Sequence, residues 1–232
     1  MAYSNQPLIK IEDLHYAYPR RGNVLNAVNF ALYEGERVVI NGDNGAGKTT
    51  LLHLIVGLKK AKRGQVFGFG QACHSEKEFN QLRAKAGLLF QDPDDQLFCP
   101  TVLEDVMFGP LNLGFNKQQA IDKSIKILKK LGMEGFESRI THQLSGGEKR
   151  MVTLATVLVM EPQVLILDEP TNALDEKAKA RLLNVLLALP QAMIIISHDK
   201  LFSAQLATRN MNLENGFLTE QTNTGQQHKE VV

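Results

Sequence analysis

A glycine-rich loop between a β-rich run and a helix is the feature that most constrains the fold of this chain. Residues Gly42 to Thr49 read Gly-Asp-Asn-Gly-Ala-Gly-Lys-Thr and follow directly on Arg37-Val38-Val39-Ile40. Leucine and isoleucine then recur along one side of a helix predicted from Lys48 to Gly57. Glycines in such a loop let backbone N–H groups surround a phosphate, and the helix adds partial positive charge there. The pattern predicts an α/β fold with a phosphate-binding loop.

Residues of this loop and its borders are candidates for contacts with a nucleotide. Lys48 is expected to reach the β- and γ-phosphates, and the Thr49 hydroxyl is expected to be a ligand of Mg²⁺. The alternative is a glycine-rich turn with an incidental lysine, which the strand–loop–helix context disfavours. The other candidates in this segment are Asn41, Gly42, Asp43, Asn44, Gly45, Ala46, Gly47 and Thr50.

Two acidic residues follow a second buried strand. The run from Val164 to Leu167 is continuously apolar, as in a parallel sheet covered on both faces, and Asp168 and Glu169 come next. Open α/β sheets bind ligands at the carboxyl ends of their strands. We therefore expect Asp168 to hold Mg²⁺ through water and Glu169 to accept a proton from the attacking water. The alternative is a helix-capping acid cluster before Pro170.

Polar residues also end two neighbouring strands. His198 follows the strand from Met193 to Ser197, and Gln91 follows the strand from Ala86 to Phe90. We expect His198 to contact the γ-phosphate and the attacking water. The neutral amide of Gln91 can bind Mg²⁺ or water without adding charge. Each has a plainer interpretation, since lone histidines are more often structural and loop glutamines usually meet solvent.

Composition narrows the classes of function. Hydrophobic residues make up 44% of the 232 residues, which is enough for a sizeable core. The net charge of +1 gives no electrostatic footprint for nucleic acid or an anionic membrane. The two cysteines, Cys73 and Cys99, have no metal-site spacing and are expected to be reduced thiols. No apolar run reaches the roughly 18 residues of a spanning helix, and the first residues lack a signal-peptide core. Any membrane role is therefore expected to act through a partner.

The remaining patterns predict one domain over residues 1–220. Strands are expected over 8–11 and 24–33, and a mainly helical insertion over about residues 92–160. Within the insertion, a helix over 117–131 has Asn116 as N-cap. Further helices are expected over 148–160 and 176–189, and Asn215-Gly216 predicts a hairpin turn. The chain from Glu220 onward, and residues 221–232 in particular, is polar and expected to be disordered. The inner stripe of the helix over 117–131 is predicted to be Ala120, Ile121, Ile125, Leu128 and Leu131.

The segment Leu144-Ser145-Gly146-Gly147-Glu148 lies between the glycine loop and the acidic pair. With these three motifs in this order, residues 8 to 218 resemble the ATPase subunits of the ATP-binding cassette (ABC) transporter family. The resemblance implies a P-loop NTPase core with an N-terminal antiparallel β subdomain and an inserted helical subdomain. It also implies that two copies close head to tail around two ATP molecules and hydrolyse them with Mg²⁺.

The resemblance gives roles to further residues. Ser145, Gly146 and Gly147 of one copy would donate hydrogen bonds to the γ-phosphate held by the other copy. Asp175, in Asn172-Ala173-Leu174-Asp175, belongs to a segment that resembles the loop that crosses the interface between the copies. Tyr18 resembles the aromatic residue that stacks on adenine. Tyr16 lies on the same strand face as Tyr18, so a purely packing role for Tyr18 is the alternative.

Two residues depart from the family pattern. Glu148 stands where glutamine is commoner, and it adds a negative charge close to the opposing ATP unless its side chain points away. Met151 stands where many relatives have arginine.

A finer resemblance lies in the segment from Phe90 to Gly114 and in Met160-Glu161-Pro162, which together are similar to the ATPases of energy-coupling-factor importers. It implies an ATPase subunit on the cytoplasmic face of the cell membrane. Its partners would be integral membrane subunits and either a second copy or a paralogous ABC ATPase. Leu97, Phe98 and Phe115 would suit a contact with the membrane subunits, or alternatively would be buried in the insertion. The short segment after the hairpin favours a cobalt, nickel or biotin system over other vitamin importers.

Two other classes of function are compatible with these motifs. The chain could serve another ABC importer or an exporter, which the segment from Gln91 to Gly114 disfavours. A soluble cassette ATPase acting on nucleic acid or ribosomes is a more distant alternative. One cassette, no long heptad run and no basic excess argue against it, so no nucleic-acid partner is expected. The presence of both Glu169 and His198 disfavours a subunit that does not hydrolyse ATP.

Overall fold

The computed structural model describes residues 6–19 and 22–221. In chain order the strands are β1 (Ile9–Tyr18), β2 (Gly22–Leu32), β3 (Arg37–Asn41), β4 (Arg63–Gly68), β5 (Gln71–Cys73), β6 (Ala86–Leu89), β7 (Val164–Asp168), β8 (Ala192–Ile196), β9 (Arg209–Glu214) and β10 (Phe217–Glu220). The helices are α1 (Lys48–Ile55), α2 (Glu76–Arg83), α3 (Val102–Asn112), α4 (Lys117–Lys130), α5 (Gly146–Leu158), α6 (Glu176–Leu187) and α7 (Lys200–Leu206).

A six-stranded sheet in the order β10-β9-β3-β8-β7-β6 positions the candidate site. The strands from β9 to β6 run parallel, and β10 pairs antiparallel with β9 after the turn at Asn215-Gly216. Every residue of β7 and β8 is buried, because the sheet is covered on both faces. The carboxyl ends of β3, β6, β7 and β8 therefore meet at one edge.

A second, antiparallel sheet in the order β2-β1-β4-β5 packs over α1 in a shared hydrophobic core. Strand β1 is longer than the sequence predicted, because it continues past irregularities in its pairing with β2. Two residues with positive φ, Asp13 (49°) and Ala27 (51°), lie at these irregularities. At these residues the pairing of β1 with β2 is irregular but continues. The strand β1 therefore extends to Tyr18, which lies beside α1.

The helical segment between β6 and β7 contains α3, α4 and α5 around a second core. Asn116 caps α4 as predicted, through a reciprocal pair of hydrogen bonds with Gln119. The predicted inner stripe of α4 is wrong at Ile125, whose side chain is 41% exposed. The neighbouring helices cover a face defined by Ala120, Ser124 and Leu128 at a spacing of four residues, and Ile125 lies one residue off it.

Several elements differ from the sequence predictions. Helices α2, α3 and α7 were not predicted. The predicted disorder from Glu220 is wrong at its start, since Glu220 ends β10 and Gln221 donates its backbone N–H to Asn210. Residues 222–232 lie outside the described residues. Within residues 6–19 and 22–221, no helix is long and apolar enough to cross a membrane.

Candidate nucleotide-binding site

A cavity of about 700 Å³ opens at the carboxyl ends of β7 and β8 and beside the loop after β3. The structure brings together in its wall all four residues predicted to be catalytic, from four separate segments of the chain. The sequence-predicted residues that line it are Tyr18, Asn44, Gly45, Gly47, Lys48, Thr49, Thr50, Gln91, Asp168, Glu169 and His198.

The loop after β3 presents a helix end and a lysine to this cavity. Gly47 is the N-cap of α1 with φ of 106°, and no side chain caps the helix. A Cβ there would lie 2.5 Å from Cγ1 of Val24, so both the conformation and the space require glycine. Uncapped N–H groups at a helix amino end suit an anion.

Lys48 is held by the loop itself. Its Nζ donates to the carbonyl oxygens of Gly42 at 2.6 Å and of Asp43 at 3.0 Å. Burial lowers the pKa of Lys48, and the charges of Glu169, Asp168 and Asp43 act in the opposite direction. The ammonium group therefore lies above the loop, next to two carboxylates that favour its charged form.

Asp168 and Thr49 form a set of hard oxygen donors. The Asp168 side chain is buried, and its Oδ1 has no hydrogen-bond partner. Burial raises the pKa of this carboxyl, while a hydrogen bond from Thr49 and the charges of Lys48 and Arg150 lower it. A buried carboxylate oxygen without a partner, beside a hydroxyl, fits a small divalent cation such as Mg²⁺.

Glu169 is fixed at the tip of β7 by an unusual backbone. Its φ is 45°, a conformation that non-glycine residues rarely adopt, and its N–H donates to the carbonyl oxygen of Ile196 at 2.9 Å. Its Oε2 accepts from the backbone N–H of His198 at 3.0 Å, and its Oε1 lies 3.2 Å from Nε2 of the same residue. The arrangement holds one carboxylate and one imidazole at the cavity wall, where they could activate and orient a water molecule.

Several residues that were predicted to contact the nucleotide lie on the side of the loop away from this cavity. Gly42, Asp43 and Ala46 border a second polar pocket next to the β9–β10 turn, which Asn44 and Gly45 also line. Asn41 directs its amide to Oε1 of Gln221 at 3.4 Å rather than into the first cavity. The structure therefore separates the side chain of Asn41 from the other loop candidates.

Ser145, Gly146, Gly147 and Asp175 lie outside this cavity. Ser145 is the N-cap of α5 and Asp175 is the N-cap of α6, where its Oδ1 accepts from the N–H of Ala178 at 2.7 Å. A Cβ added to Gly146 would meet only the carbonyl oxygen of Ala173 at 3.8 Å, so the surface in front of Gly146 is open. These residues do not contribute to the cavity of their own chain.

Glu148 folds back on the amino end of α5. Its Oε2 accepts from both the N–H and the hydroxyl of Ser145, each at 2.8 Å, and Arg139 pairs with Oε1 at 3.2 Å. The N–H bond from Ser145 is the main reason that the pKa of Glu148 is lowered. The side chain thus points along its own helix, and Arg139 offsets part of its charge.

Tyr18 lies at the cavity wall in contact with three residues. Its hydroxyl is 3.0 Å from Oγ1 of Thr50, its ring meets Tyr16 edge to face at 5.0 Å, and Lys59 lies 5.2 Å over the ring. These contacts show that Tyr18 packs against Tyr16 at the cavity wall, and its stacking on an adenine base stays a prediction.

Sequence reasoning missed part of the cavity wall. Thr171, Asn172, Ala173, Lys179 and Asp199 all line it. Lys179 pairs with Asp199 at 3.1 Å, which joins the first turn of α6 to the amino end of α7. Nothing in the spacing of these residues could have indicated the pair, because it forms only when the two helices meet.

The cavity combines a glycine-rich loop at the start of α1, a carboxylate suited to a cation, and a second carboxylate beside a histidine. These features define a P-loop enzyme that hydrolyses nucleoside triphosphates. Residues 25–172 match the family model of the ABC transporter. The chain therefore belongs to the ABC transporter family and is an ATP-binding, ATP-hydrolysing subunit of a transporter.

Relatives and solved structures agree with this assignment. A putative ABC transporter ATP-binding protein of Brucella suis is 53% identical over 92% of this chain and 88% of its own length. The energy-coupling factor transporter ATP-binding protein EcfA of Methanothermobacter thermautotrophicus is 41% identical over 91% and 69%. CbiO1 from Clostridium perfringens, part of the ABC transporter complex CbiONQ, superposes with a TM-score of 0.81 at 34% identity, covering 92% and 87%.

A dimeric ATP-binding cassette in a post-hydrolysis state, with bound ADP and phosphate, superposes with a TM-score of 0.82 at 27% identity. It covers 94% of this chain and 99% of its own. The expected fold, an α/β core with an antiparallel β sheet and a helical segment, is confirmed by these likenesses.

Proposed function

We propose that this chain powers a membrane importer of the energy-coupling-factor type, for cobalt, nickel or a vitamin such as biotin. Two copies, or one copy and a paralogue, would close on two ATP molecules at the cytoplasmic face of the cell membrane. The observation that carries the proposal is an apolar groove lined by Phe90, the residue before Gln91, where a membrane subunit could sense the state of the nucleotide site.

The cavity residues divide the chemistry among them. Lys48 and the amino end of α1 would bind the phosphates, and Tyr18 would stack on the base. Thr49, Asp168 and Gln91 would hold Mg²⁺, which offsets the phosphate charge when bound. Glu169 would accept the proton of the attacking water.

His198 would hold Glu169 in place. The backbone N–H of His198 already binds the Glu169 carboxylate, and its ring, which is 52% exposed, lies 3.5 Å from Nζ of Lys48. From that position the ring could reach both the water and the γ-phosphate.

A second copy would supply the missing side of the site. In one chain Ser145, Gly146 and Gly147, at the amino end of α5, do not line the cavity. Ser145, Gly146 and Gly147 of one copy would cover the ATP of the other with hydroxyl and N–H donors, and Asp175 would lie at the interface. ATP would then hold the dimer closed, and hydrolysis would release it.

Glu148→Gln is expected to strengthen ATP-dependent association of two copies. The amide keeps the reciprocal cap with Ser145 but removes a negative charge near the opposing phosphates. Because Arg139 already offsets part of that charge, we expect the ATP concentration for half-maximal dimer in light scattering to fall only about threefold. An unchanged or higher concentration would show that the charge of Glu148 does not oppose closure.

The apolar groove has a volume of about 680 Å³ and is bordered by α3, β6 and the segments after α1 and β6. Phe98 is 64% exposed and Phe108 is 45% exposed, and their rings meet edge to face at 4.9 Å. Exposed aromatic side chains grouped in this way are typical of a docking surface. Of the three residues predicted to contact the membrane subunits, Leu97 is buried and Phe115 is 36% exposed. Phe98 is the most exposed of the three and is therefore the residue to test.

The relatives support the type of transporter. Members named as energy-coupling factor ATP-binding proteins cover most of this chain, and the CbiO1 structure belongs to a transporter complex by its own description. The transported compound rests on the sequence resemblance alone. Uptake of labelled cobalt, nickel and biotin by cells that express the complete transporter tests this choice, and uptake of none of them would overturn it.

Phe98→Asp is expected to uncouple the chain from its membrane partner. A charged group in the groove should abolish co-purification with integral membrane subunits from detergent extracts of the native cell. ATP hydrolysis by the isolated chain should stay within about twofold, because Phe98 does not touch the cavity. Leu201→Asp, at a residue that is 78% exposed on α7, is the control and should co-purify normally. Normal co-purification of the Phe98 variant would show that the groove is not the docking surface.

A further inference from the structure

A buried arginine joins the two halves of the proposed catalytic arrangement. Arg150 lies on α5, five residues after Ser145, and its side chain is 1% exposed. Its Nη1 donates to the carbonyl oxygen of Phe90 at 2.7 Å, and its Nη2 donates to that of Gln91 at 2.6 Å. One guanidinium group therefore fixes the backbone from which the Gln91 side chain extends.

The surroundings of this guanidinium are costly for a residue with only a packing role. Its Nε is buried and has no partner. Burial lowers the pKa of Arg150 to about 10, and the negative charges of Asp92 and Asp168 act in the opposite direction. A cation is thus kept out of water beside the carboxylate that is proposed to hold Mg²⁺.

Further hydrogen bonds attach the same loop to the same helix. The amide of Gln96 donates to Oγ1 of Thr156 at 2.8 Å and to the carbonyl oxygen of Thr153 at 3.2 Å. Its Oε1 accepts from the N–H of Phe90 at 3.3 Å. Lys149 pairs with Asp94 at 2.6 Å. Residues 90–96 are therefore clamped along α5 and should move with it as one body.

We propose that Arg150 is a positioning residue that transmits the docking of the opposing ATP on the amino end of α5 to Gln91. When the phosphates of the second copy meet Ser145, Gly146 and Gly147, α5 moves, and Arg150 carries the Gln91 backbone with it. The amide of Gln91 then reaches the cation and water only in the closed dimer. This inference rests on the proposed function and gives a residue of the chain the task of linking its two sites.

Met151, the next residue on α5, does not share this role. Met151 is 2% exposed and packs in the core of the helical segment, so the guanidinium that reaches the Gln91 loop comes from the preceding position. At that position on α5 the side chain faces β6 and its following loop, as the two hydrogen bonds show.

Arg150→Met tests the link, because methionine keeps an unbranched stem but lacks the guanidinium group and with it both hydrogen bonds to the Gln91 loop. We expect kcat for ATP to fall at least about tenfold while KM changes less than about twofold. In the Glu169→Gln background, ATP-dependent dimerisation should persist. Amide hydrogen exchange of residues 90–92, which should slow when ATP closes the Glu169→Gln dimer, should no longer respond to ATP.

Two further variants separate this role from stability. Arg150→Lys keeps a charge and donors and should restore part of kcat and of the exchange response. Arg37→Met removes a comparable pair of bonds, to the carbonyl oxygens of Leu187 and Leu189 at 3.1 and 2.9 Å, at the opposite end of the sheet. It should lower the melting temperature and leave kcat unchanged.

The outcomes distinguish this inference from the proposed function. If Glu169→Gln alone fails to dimerise with ATP, the proposed function is wrong, and the inference falls with it. If Glu169→Gln dimerises but Arg150→Met keeps its kcat or its ATP-dependent exchange at residues 90–92, only the role of Arg150 is wrong. A KM that rises in parallel with the loss of kcat, with no rescue by lysine, would show a purely structural residue.

Discussion

Glu169→Gln is expected to lose ATP turnover by about 10²- to 10⁴-fold, the contribution typical of a positioned general base. Glutamine matches glutamate in shape, so the side chain can still occupy the tip of β7 beside the N–H of His198. It cannot accept the proton of the attacking water. ATP affinity should therefore stay close to that of the wild type, and the ATP-bound dimer should accumulate because its hydrolysis is blocked.

Phosphate release under saturating ATP measures the turnover, and binding of a fluorescent ATP analogue measures the affinity. Glu134→Gln, at a side chain that is 72% exposed and remote from the cavity, controls for the loss of one negative charge. Near-normal phosphate release by Glu169→Gln would remove Glu169 from the role of base and leave His198 as the group to examine.

Gly146→Ala is expected to prevent closure of the dimer without harming the fold of one chain. Inside the chain the new methyl group would have only an ordinary contact at 3.8 Å, and alanine favours a helix more than glycine. Toward a second copy, the same methyl group would fill the space reserved for the opposing phosphate. We expect ATP-dependent association in the Glu169→Gln background to weaken at least about tenfold, or about 1.4 kcal/mol.

The neighbouring glycine is the matched control for this prediction. A Cβ on Gly147 would lie 2.9 Å from Cβ of Ala178. Gly147→Ala should therefore lower the melting temperature in addition to preventing closure, whereas Gly146→Ala should only prevent closure. Ser145→Arg should block closure more completely, while ATP binding to one copy survives. If Gly146→Ala dimerises normally with ATP, the open surface before Gly146 is not where the opposing nucleotide binds.

That the cavity residues lie together could be predicted from the sequence, because their positions obey local rules. Asp168 and Glu169 follow an apolar strand, and parallel strands bring their carboxyl ends to one edge, so their proximity to Lys48 required no tertiary detail. The helix α3 could also have been found, since Thr101 and Glu104 form a reciprocal cap with the usual spacing. Gly109 and Pro110 obscure the end of its helical pattern.

Other features depend on packing that no local pattern encodes. The φ of 45° at Glu169 is set by its pairing with Ile196 across two strands. The pair of Lys179 and Asp199 forms only where two helices meet. Arg150 resembles a surface residue in a charged segment, yet it is buried because α5 covers the loop after β6. Such contacts join residues distant in sequence, so they follow from the fold and not from spacing.

In the proposed mechanism each chain contributes half of each catalytic site, and ATP brings the two halves together. Static light scattering of the Glu169→Gln variant with saturating ATP and Mg²⁺ tests it most directly. We expect a shift from the mass of one chain, 25.8 kDa, to twice that mass in ATP and no shift in ADP. When Gly146→Ala is added, the dimer should form only at a protein concentration at least about tenfold higher. A mass that stays at that of one chain in ATP, or a dimer that forms equally with Gly146→Ala, would contradict it.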